Sequence, residues 1–353
     1  MTYPVYDRMK NLVRSVSQAV DAKHIISATV AVVLIAFCQS PNTARADEGG
    51  ISFWLPGLFG SLAAVPTQPG YSFSTIYIHA EATAGAGQEF QRGGRIDLGV
   101  DGHGDLAAFG PTYTFTTPVL GGQLAVSLFG VGGRSVGTVS ASLTGPRGRT
   151  ISGERTDTVT GFGDLLPQVS LKWNEGVNNF MVYGTGDIPV GNYDENRLAN
   201  LGLGHGAIDG GGGYTYFNPA SGHEFSAVAG LTYNFENTHT DYQNGIDFHL
   251  DWAASQFLNE HVHVGVVGYF FQQLTGDSGA GATLGDFKSR VAGIGPQIGF
   301  IFPVSDAVGG YLNIKAYKEF AAENRAEGWN AWVTLAFSPA PPKKAETPPL
   351  VIK

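Results

Sequence analysis

The 353-residue chain carries 30 acidic against 21 basic residues, a formal charge of −9, with 43% hydrophobic residues, 14% charged residues and 50 glycines. An acidic chain does not suit nucleic-acid binding, whose affinity comes from neutralising phosphates, and the apolar fraction is too ordinary for a bundle of membrane helices. So many glycines beside so few charges favour β-rich structure with many turns over a helical enzyme.

The N-terminus reads as an export signal. A basic n-region leads to the apolar run Ile25 to Phe37, then to polar Gln39-Ser40-Pro41-Asn42 and the small-x-small site Ala44-Arg45-Ala46. The run is short for a spanning helix and a cleavage site follows directly, so residues 1–46 are expected to be removed, with the mature chain starting near Asp47. The only cysteine, Cys38, falls in the removed part, and Phe37 before it is wrong for a lipoprotein box. Disulfides and thiol chemistry are therefore not available to the mature protein.

Residues 47–70 show neither clean alternation nor caps, and Pro56, Pro66 and Pro69 interrupt them. Phe53, Trp54, Leu55, Leu58 and Phe59 make the segment apolar all the same. We expect a leader that packs inside the mouth of a barrel as a plug; a helical turn lying against the membrane is the alternative.

Strand signals follow in pairs. Tyr71 to Ala80 is the first, then a loop through about Gly104, then Asp105 to Thr117 with a tight turn at 118–122. Gln123 to Thr144 and Ile151 to Trp173 flank the turn at 145–148. Val177 to Gly186 leads to a long loop, and Ala207 to Phe217 returns to the turn at 218–222. Glu224 to Phe235 has the cleanest pattern: Phe225, Ala227, Ala229, Leu231, Tyr233 and Phe235 fall on one side of an extended strand, and Glu224, Ser226, Val228, Gly230, Thr232 and Asn234 on the other. Such a strand, about 12 residues tilted by roughly 45°, matches the apolar band of a transmembrane barrel wall, although one strand alone also fits a soluble sandwich. Gly245 to Leu258, Val262 to Leu274, Ser289 to Phe302, Gly309 to Phe320 and Glu327 to Phe337 complete twelve strands. Turns after even-numbered strands are short and most of the others longer, so both ends of a closed barrel would lie on the side of the short turns.

Facing supports the same reading. Phe248, Leu250, Trp252 and Ala254 oppose Asp247, His249, Asp251 and Ser255; Leu312, Ile314 and Ala316 oppose Asn313, Lys315, Tyr317 and Glu319; Trp329, Ala331, Val333, Leu335 and Phe337 oppose Asn330, Trp332, Thr334 and Ala336. Each wall has one uncharged face. A cation facing lipid at the midplane costs roughly 2–4 kcal/mol, so Lys315 is predicted to point inward. Aromatics gather at strand ends in two groups: Tyr113, Phe115, Trp173, Tyr216, Phe217, Phe257, Phe302 and Phe337 near the short turns, and Tyr233, Phe235, Phe270, Phe271 and Trp329 at the other end. Two girdles are what a barrel meeting two membrane interfaces requires. The fold class is thus all-β: a transmembrane antiparallel up-and-down barrel over 71–337, with a Pro-rich tail at 338–353 expected to be disordered.

Candidate chemistry is sparse. Asp101-x-His103-x-Asp105 and Asp247-x-His249-x-Asp251 have same-face spacing for a metal, but the first is expected in a loop and the second reads better as solvated lumenal residues. His261 and His263 flank a turn, where hydrogen bonding at the interface suffices. Asp277-Ser278 lacks a nucleophile elbow. Gly210 to Gly213 is no phosphate loop and reads as a place where bulky neighbours press on the wall. No catalytic residue, metal or cofactor is expected.

Several stretches carry a resemblance: Ile51-Ser-Phe-Trp-Leu-Pro-Gly57, Gly60-Ser-Leu-Ala-Ala-Val-Pro66, Pro111-Thr-Tyr-Thr-Phe115, Thr185-Gly-Asp-Ile-Pro-Val-Gly191, Leu231-Thr-Tyr-Asn-Phe-Glu236, Asp277-Ser-Gly279 and Gly295-Pro-Gln-Ile-Gly299. In these the chain, from about 50 to 337, resembles the predicted outer-membrane proteins of the phenol-degradation MetA-pathway (SphA-like) family. The resemblance implies a barrel in outer-membrane lipid that admits small hydrophobic or aromatic substrates. One departure is that Phe337, where such barrels usually end on an aromatic for the barrel assembly machinery, is followed by a tail. The expected substrate path runs between the plug residues Phe53, Trp54, Leu55 and Phe59 and the lumenal Asp247, His249, Asp251, Asn313, Lys315, Tyr317, Glu319 and Trp332. The rival readings are an outer-membrane hydrolase and a closed structural or adhesive barrel.

Overall fold

In hydrocarbon every backbone N–H and C=O needs a partner, and a sheet meets that demand only by closing on itself. The structure, a computed structural model, describes residues 53–89, 95–283 and 288–341. Among these residues twelve antiparallel strands follow one another: β1 Gly70–Glu89, β2 Arg95–Thr114, β3 Gln123–Thr144, β4 Thr150–Glu175, β5 Asn178–Asp187, β6 Ala207–Asn218, β7 His223–Asn234, β8 Asp247–Phe257, β9 Val262–Gln273, β10 Arg290–Pro303, β11 Val308–Glu323 and β12 Glu327–Pro339. Each pairs with its chain neighbours, and β12 closes onto β1 from Phe73↔Phe337 to Thr83↔Glu327. The expected signal peptide and cleavage site, and the tail from 342 on, lie outside the described residues.

The alternation in β7 becomes a difference of environment. Glu224, Ser226, Val228, Thr232 and Asn234 are buried, while Phe225, Leu231, Tyr233 and Phe235 are exposed. β8 behaves alike, with Asp247, His249, Asp251, Ala253 and Ser255 buried. The polar set therefore faces the interior of the cylinder. The apolar set faces outward, where lipid meets it.

Three expectations need correction. Residues 81–104 are not a loop: β1 and β2 pair without interruption to Glu89↔Arg95. Gly85, Gly99, Gly102 and Gly104, which read as turn residues, sit inside strands. Asp101, His103 and Asp105 accordingly lie on β2, opposite Thr83, Glu81 and His79. They share the outward side with Phe109 and Pro111, and Asp105 accepts hydrogen bonds from the Tyr77 hydroxyl (2.6 Å) and the His79 ring (2.8 Å). Three aromatics assigned to the girdles face inward instead. Phe271 is wholly buried in the interior, and Phe217 and Phe257 pack ring to ring at 4.8 Å with Phe257 stacked on buried His263.

β1 to β4 outrun the rest of the wall. β3 and β4 stay paired to Thr144↔Thr150, whereas β4 leaves β5 at Gln168↔Thr185. Along this extension the faces trade polarity. On the outward side Phe73, Tyr77, Phe109 and Leu128 give way to Glu81, Asp105, His103, Asp101 and Arg134. On the inward side Ala80, Ala82 and Ala84 of β1 run beside Gly104, Gly102 and Val100 of β2 and then Val139 and Ala141 of β3. Charges outside mean water outside, so the boundary of the apolar band lies near Tyr77 and Trp329, whose indole N–H donates to Glu81. A bulge marks the same level on β4: the register steps from Gly130↔Leu165 to Gly132↔Phe162. Facing reverses there, so Lys172 below it and Val159 above it both point inward.

The extra residue Asp164 is used. Its carboxylate accepts from the N–H groups of Gly191 (2.7 Å) and Leu203 (2.8 Å), pinning the 188–206 loop across the mouth. Arg197 in that loop holds Asp157 of β4 (3.2 Å), a pairing that raises the Arg197 pKa. Tyr193 accepts from Asn237 of the 235–246 loop (2.7 Å), which in turn meets the 274–289 loop at Gln243↔Ser278.

Ala229 lies near the middle of β7 on the lipid side. Ala229→Arg is expected to destabilise the barrel in lipid vesicles by about 2–4 kcal/mol, against about 0–1 kcal/mol for Phe235→Arg near the interface. Denaturant titration of the refolded variants checks the difference, and equal effects would remove the membrane assignment of this face.

Candidate functional site

A narrow barrel of twelve strands has an interior that side chains and one chain segment can fill. Residues 54–67 do so here. The problem for such a segment is its backbone, because it lies outside any ladder and each unpaired polar group costs about 1–3 kcal/mol. Four charged side chains of the wall answer it. Asp251 accepts from the N–H of Gly57 (2.8 Å) and of Phe59 (3.0 Å). Glu224 accepts from the N–H of Leu62 (2.9 Å) and the hydroxyl of Ser61 (2.7 Å). The ammonium of Lys315 donates to the carbonyls of Gly57, Leu58 and Phe59, and that of Lys172 to the carbonyls of Ala63 (2.7 Å) and Val65 (3.4 Å). Two acids and two bases thus take up opposite ends of the segment's peptide dipoles. Net charge inside this set cancels.

Conformation follows from those contacts. Gly57 has φ +95°, in the left-handed region, and a methyl group there would press on the rings of Tyr317 (3.0 Å) and Tyr269 (3.2 Å). Leu62 holds φ +64° without being glycine, a conformation that costs on the order of 1–3 kcal/mol and persists only where surroundings fix it; its N–H on Glu224 supplies that hold. Ala64 donates to the Thr215 hydroxyl (3.0 Å), and Gln297 donates to Ser61 (2.7 Å) and Ser255 (2.8 Å).

The side chains divide the interior in two. Trp54, Phe59, Ala63 and Ala64 pack with Met181, Tyr183 and Val228. On the opposite side Tyr269, Phe271, Tyr317 and Trp332 form an apolar cluster with Ile78, Ala253, Val267 and Val291, against which Leu58, Ile76 and Leu106 pack. Polar atoms at its rim are paired: Tyr269 donates to Glu319 (2.8 Å), Asn330 to Tyr269 (3.0 Å), and Trp332 to Asn330 (2.7 Å).

Of the expected leader residues, Trp54 is buried and Phe59 partly so, whereas Leu55 remains 36% exposed and belongs to neither cluster; Phe53 is half-buried. Of the expected lumenal residues, Asp247, His249, Asp251, Asn313, Lys315, Tyr317, Glu319 and Trp332 are all buried on the inner side. They are not brought together as one lining. Asp251, Lys315 and Tyr317 engage the leader, His249 stacks on Trp54 (3.6 Å, 12°), Asp247 accepts from Asn234 (2.9 Å) near the long-loop end, and Asn313 donates to Gln297 (3.3 Å). The role of Glu224 and Lys172 was missed. Glu224 stood on the polar side of the strand with the cleanest pattern, so its facing was visible, but its partner lies 162 positions away in sequence. Gly211, Gly213 and Gly230 do give way to bulk: a methyl group on Gly230 would lie 2.3 Å from the Tyr183 hydroxyl, and one on Gly213 3.0 Å from the end of Met181. Among the described residues no group of three or more His, Cys, Asp or Glu side chains is placed to hold a metal ion.

Residues 86–335 match the model of the family described as the MetA-pathway of phenol degradation. The chain belongs to that family. Among solved structures its fold is similar to that of the COG4313 outer membrane channel from Pseudomonas putida F1, with 12% identity and a TM-score of 0.53 over 78% of this chain and 97% of that one. More distant is the likeness to a FadL homologue from Pseudomonas aeruginosa, at 8% identity and a TM-score of 0.39 over 84% and 97%, and to the CymD monoaromatic hydrocarbon channel, at 4% identity and 0.33 over 84% and 97%. No curated protein matches the chain in sequence. This member of the phenol-degradation family is an outer-membrane barrel of twelve strands. Its matched region contains the four charged wall residues that pair the leader's backbone, while the leader itself lies before it.

Removing one wall charge leaves the leader's backbone groups unpaired at a cost of about 1–3 kcal/mol each. In a chain with Cys38→Ser and Ala64→Cys, maleimide labelling is therefore expected to be slow with the wall intact and at least tenfold faster with Lys315→Met or Asp251→Ala, the barrel itself staying folded. Equal labelling rates would show that these contacts do not seat the leader.

Proposed function

We propose that this protein is an outer-membrane channel for passive uptake of small hydrophobic or aromatic compounds of phenol-like size, and that residues 54–67 are its plug. The observation that carries the proposal is one uninterrupted apolar strip. It starts on the inner side of the extension, where Leu98 and Val100 are exposed, continues over Ala84, Ala82 and Ala80, and runs into Leu106, Ile78 and the cluster of Tyr269, Phe271, Tyr317 and Trp332. A strip of this kind, wet on its far side and apolar within, suits an uncharged solute. It does not suit an ion, which needs polar groups in place of its hydration shell. Family membership and the fold shared with the Pseudomonas putida F1 outer membrane channel lie in the same direction. Two of the buried carboxylates, Asp251 and Glu224, are occupied here by the backbone of the leader. In this reading the short turns and both chain ends face the periplasm, the 1–46 segment is cleaved during export, and Phe337 on β12 is the aromatic offered to the barrel assembly machinery.

Reconstituted vesicles test it. Phenol-sized neutral solutes are expected to cross at a rate that saturates and depends on the protein, glucose-sized sugars at a rate at least tenfold lower, and removal of residues 54–67 should raise the flux of both. A barrel that passes no solute faster than protein-free vesicles, with or without those residues, is a closed structural element. Hydrolysis of an ester lost in His249→Ala with unchanged phenol flux would instead point to the enzyme.

A further inference from the structure

We infer that the place now filled by the indole of Trp54 is a binding slot for a flat, uncharged aromatic ring, and that such a ring opens the channel by taking Trp54's place. The inference rests on the uptake reading above and names its recognition site. Trp54 stacks face to face on His249 at 3.6 Å with 12° between the planes, and the rings of Phe59 and Tyr183 stand at 5.7 and 6.1 Å from it. The slot is built by the wall and not by the leader alone. His249 is fixed by Asp209 (2.8 Å), which the Thr232 hydroxyl also holds (2.6 Å). Gly230 has no side chain exactly where one would strike both Tyr183 and His249 (2.3 and 2.7 Å), and Gly211 leaves 2.8 Å to the Tyr183 hydroxyl. A plane of this shape accepts any small aromatic by stacking. Two buried polar atoms beside it, Nδ1 of His249 and Oδ1 of Asp209, have no hydrogen-bond partner among the described residues, which favours a ring bearing a hydroxyl or an N–H.

Trp54 differs from the rest of the leader in how it is held. Residues 57–65 are bound through their backbone by wall charges, whereas the Trp54 indole lies stacked on His249, and a free ring can compete for that stack but not for the backbone contacts. Because Trp54 is tethered within a few residues of Gly57, its effective concentration at the slot is on the order of millimolar. A free aromatic must approach that level before it displaces the indole. The channel would then answer to abundant substrate and stay shut otherwise.

The test uses the full chain in detergent micelles, with phenol as the probe, cyclohexanol as a non-aromatic of similar size and benzoate as a charged aromatic. Phenol at millimolar concentration is expected to raise the acrylamide quenching of tryptophan emission at least twofold as the buried Trp54 indole leaves its place, a rise absent in Trp54→Phe, while cyclohexanol and benzoate leave the quenching unchanged. In Trp54→Ala, phenol should bind at least tenfold more tightly than to the chain with Trp54, measured by titration calorimetry, and His249→Leu in that background should abolish the binding. Should His249→Leu fail to fold, Tyr183→Leu gives the same readout. Phenol that binds no better without Trp54, or binds equally without His249 and Tyr183, overturns the slot. Phenol flux that persists in vesicles despite such a result leaves the uptake reading standing, and binding without any flux leaves the slot standing while uptake fails.

Discussion

The interior of this barrel is governed by the need to pair the backbone of a segment that has no strand beside it. A chain inside a ladder satisfies its N–H and C=O groups by repetition; residues 54–67 have no such neighbour, and Trp54, Gly57 and Ala64 among them are buried. Asp251 and Glu224 receive N–H groups, and Lys315 and Lys172 give protons to carbonyls. Each of these is a charge-assisted hydrogen bond, shorter and stronger than a neutral one. No ion pair between the four is needed to explain their burial, because the peptide groups of the leader disperse their charge. The result is a segment held in one conformation, down to a left-handed leucine at position 62, by side chains that recognise main chain and are indifferent to most of its sequence.

A second constraint acts on the wall from outside. Lipid demands an apolar exterior and water a polar one, so a strand that leaves the bilayer must exchange its faces or expose the wrong one. β1, β2 and β3 exchange them at the level of Tyr77, Asp105 and Trp329 without any break in register. Beyond that level the charged side is outside, and the apolar side, released from lipid by nothing but position, turns toward the axis. The 188–206 loop covers part of it, with Leu198 lying against Gly137 and Arg197 on Asp157. The β1–β2 portion keeps Leu98 and Val100 exposed. The two polarity rules therefore produce, between them, an apolar surface in water that leads to an apolar cluster in the membrane.

Much of this was legible in the sequence because the period of a strand is two and its meaning is binary. Strand count, the antiparallel order and the inward facing of Asp247, His249, Asp251, Asn313, Lys315, Tyr317, Glu319 and Trp332 all follow from alternation plus the cost of a charge in lipid. What failed has equally physical causes. Glycines at 85, 99, 102 and 104 read as a loop since glycine marks turns far more often than strands, yet here they sit in paired strands; a methyl group on Gly99 would stand 2.6 Å from the Ser140 hydroxyl, while the other three would meet only ordinary contacts. Phe217, Phe257 and Phe271 read as girdle residues because aromatic residues near strand ends suit an interface, whereas parity, counted along each strand from buried Thr215, Ser255 and His263, puts them inside. The bulge at Gly163 and Asp164 has no signature in composition, and it alone decides that Lys172 and Asp157 of one strand both face the axis. Contacts of the leader with Glu224 and Lys172 join residues more than a hundred positions apart, and no local pattern records such a distance.

Size connects these features to selectivity. Twelve strands enclose too little space for a water-filled pore beside a leader and a filled aromatic cluster, so whatever crosses must either move the leader or replace part of what fills the barrel. The backbone contacts are numerous and charge-assisted, and a neutral solute offers nothing to compete with them. Ring contacts are different: the stack of Trp54 on His249 is made of the same kind of surface that an aromatic solute carries, and its free energy is matched by any ring of similar area. Rigidity in the main chain combined with exchangeability in one side chain confines the response to a single chemical class. An open pore of the same diameter would discriminate by size alone.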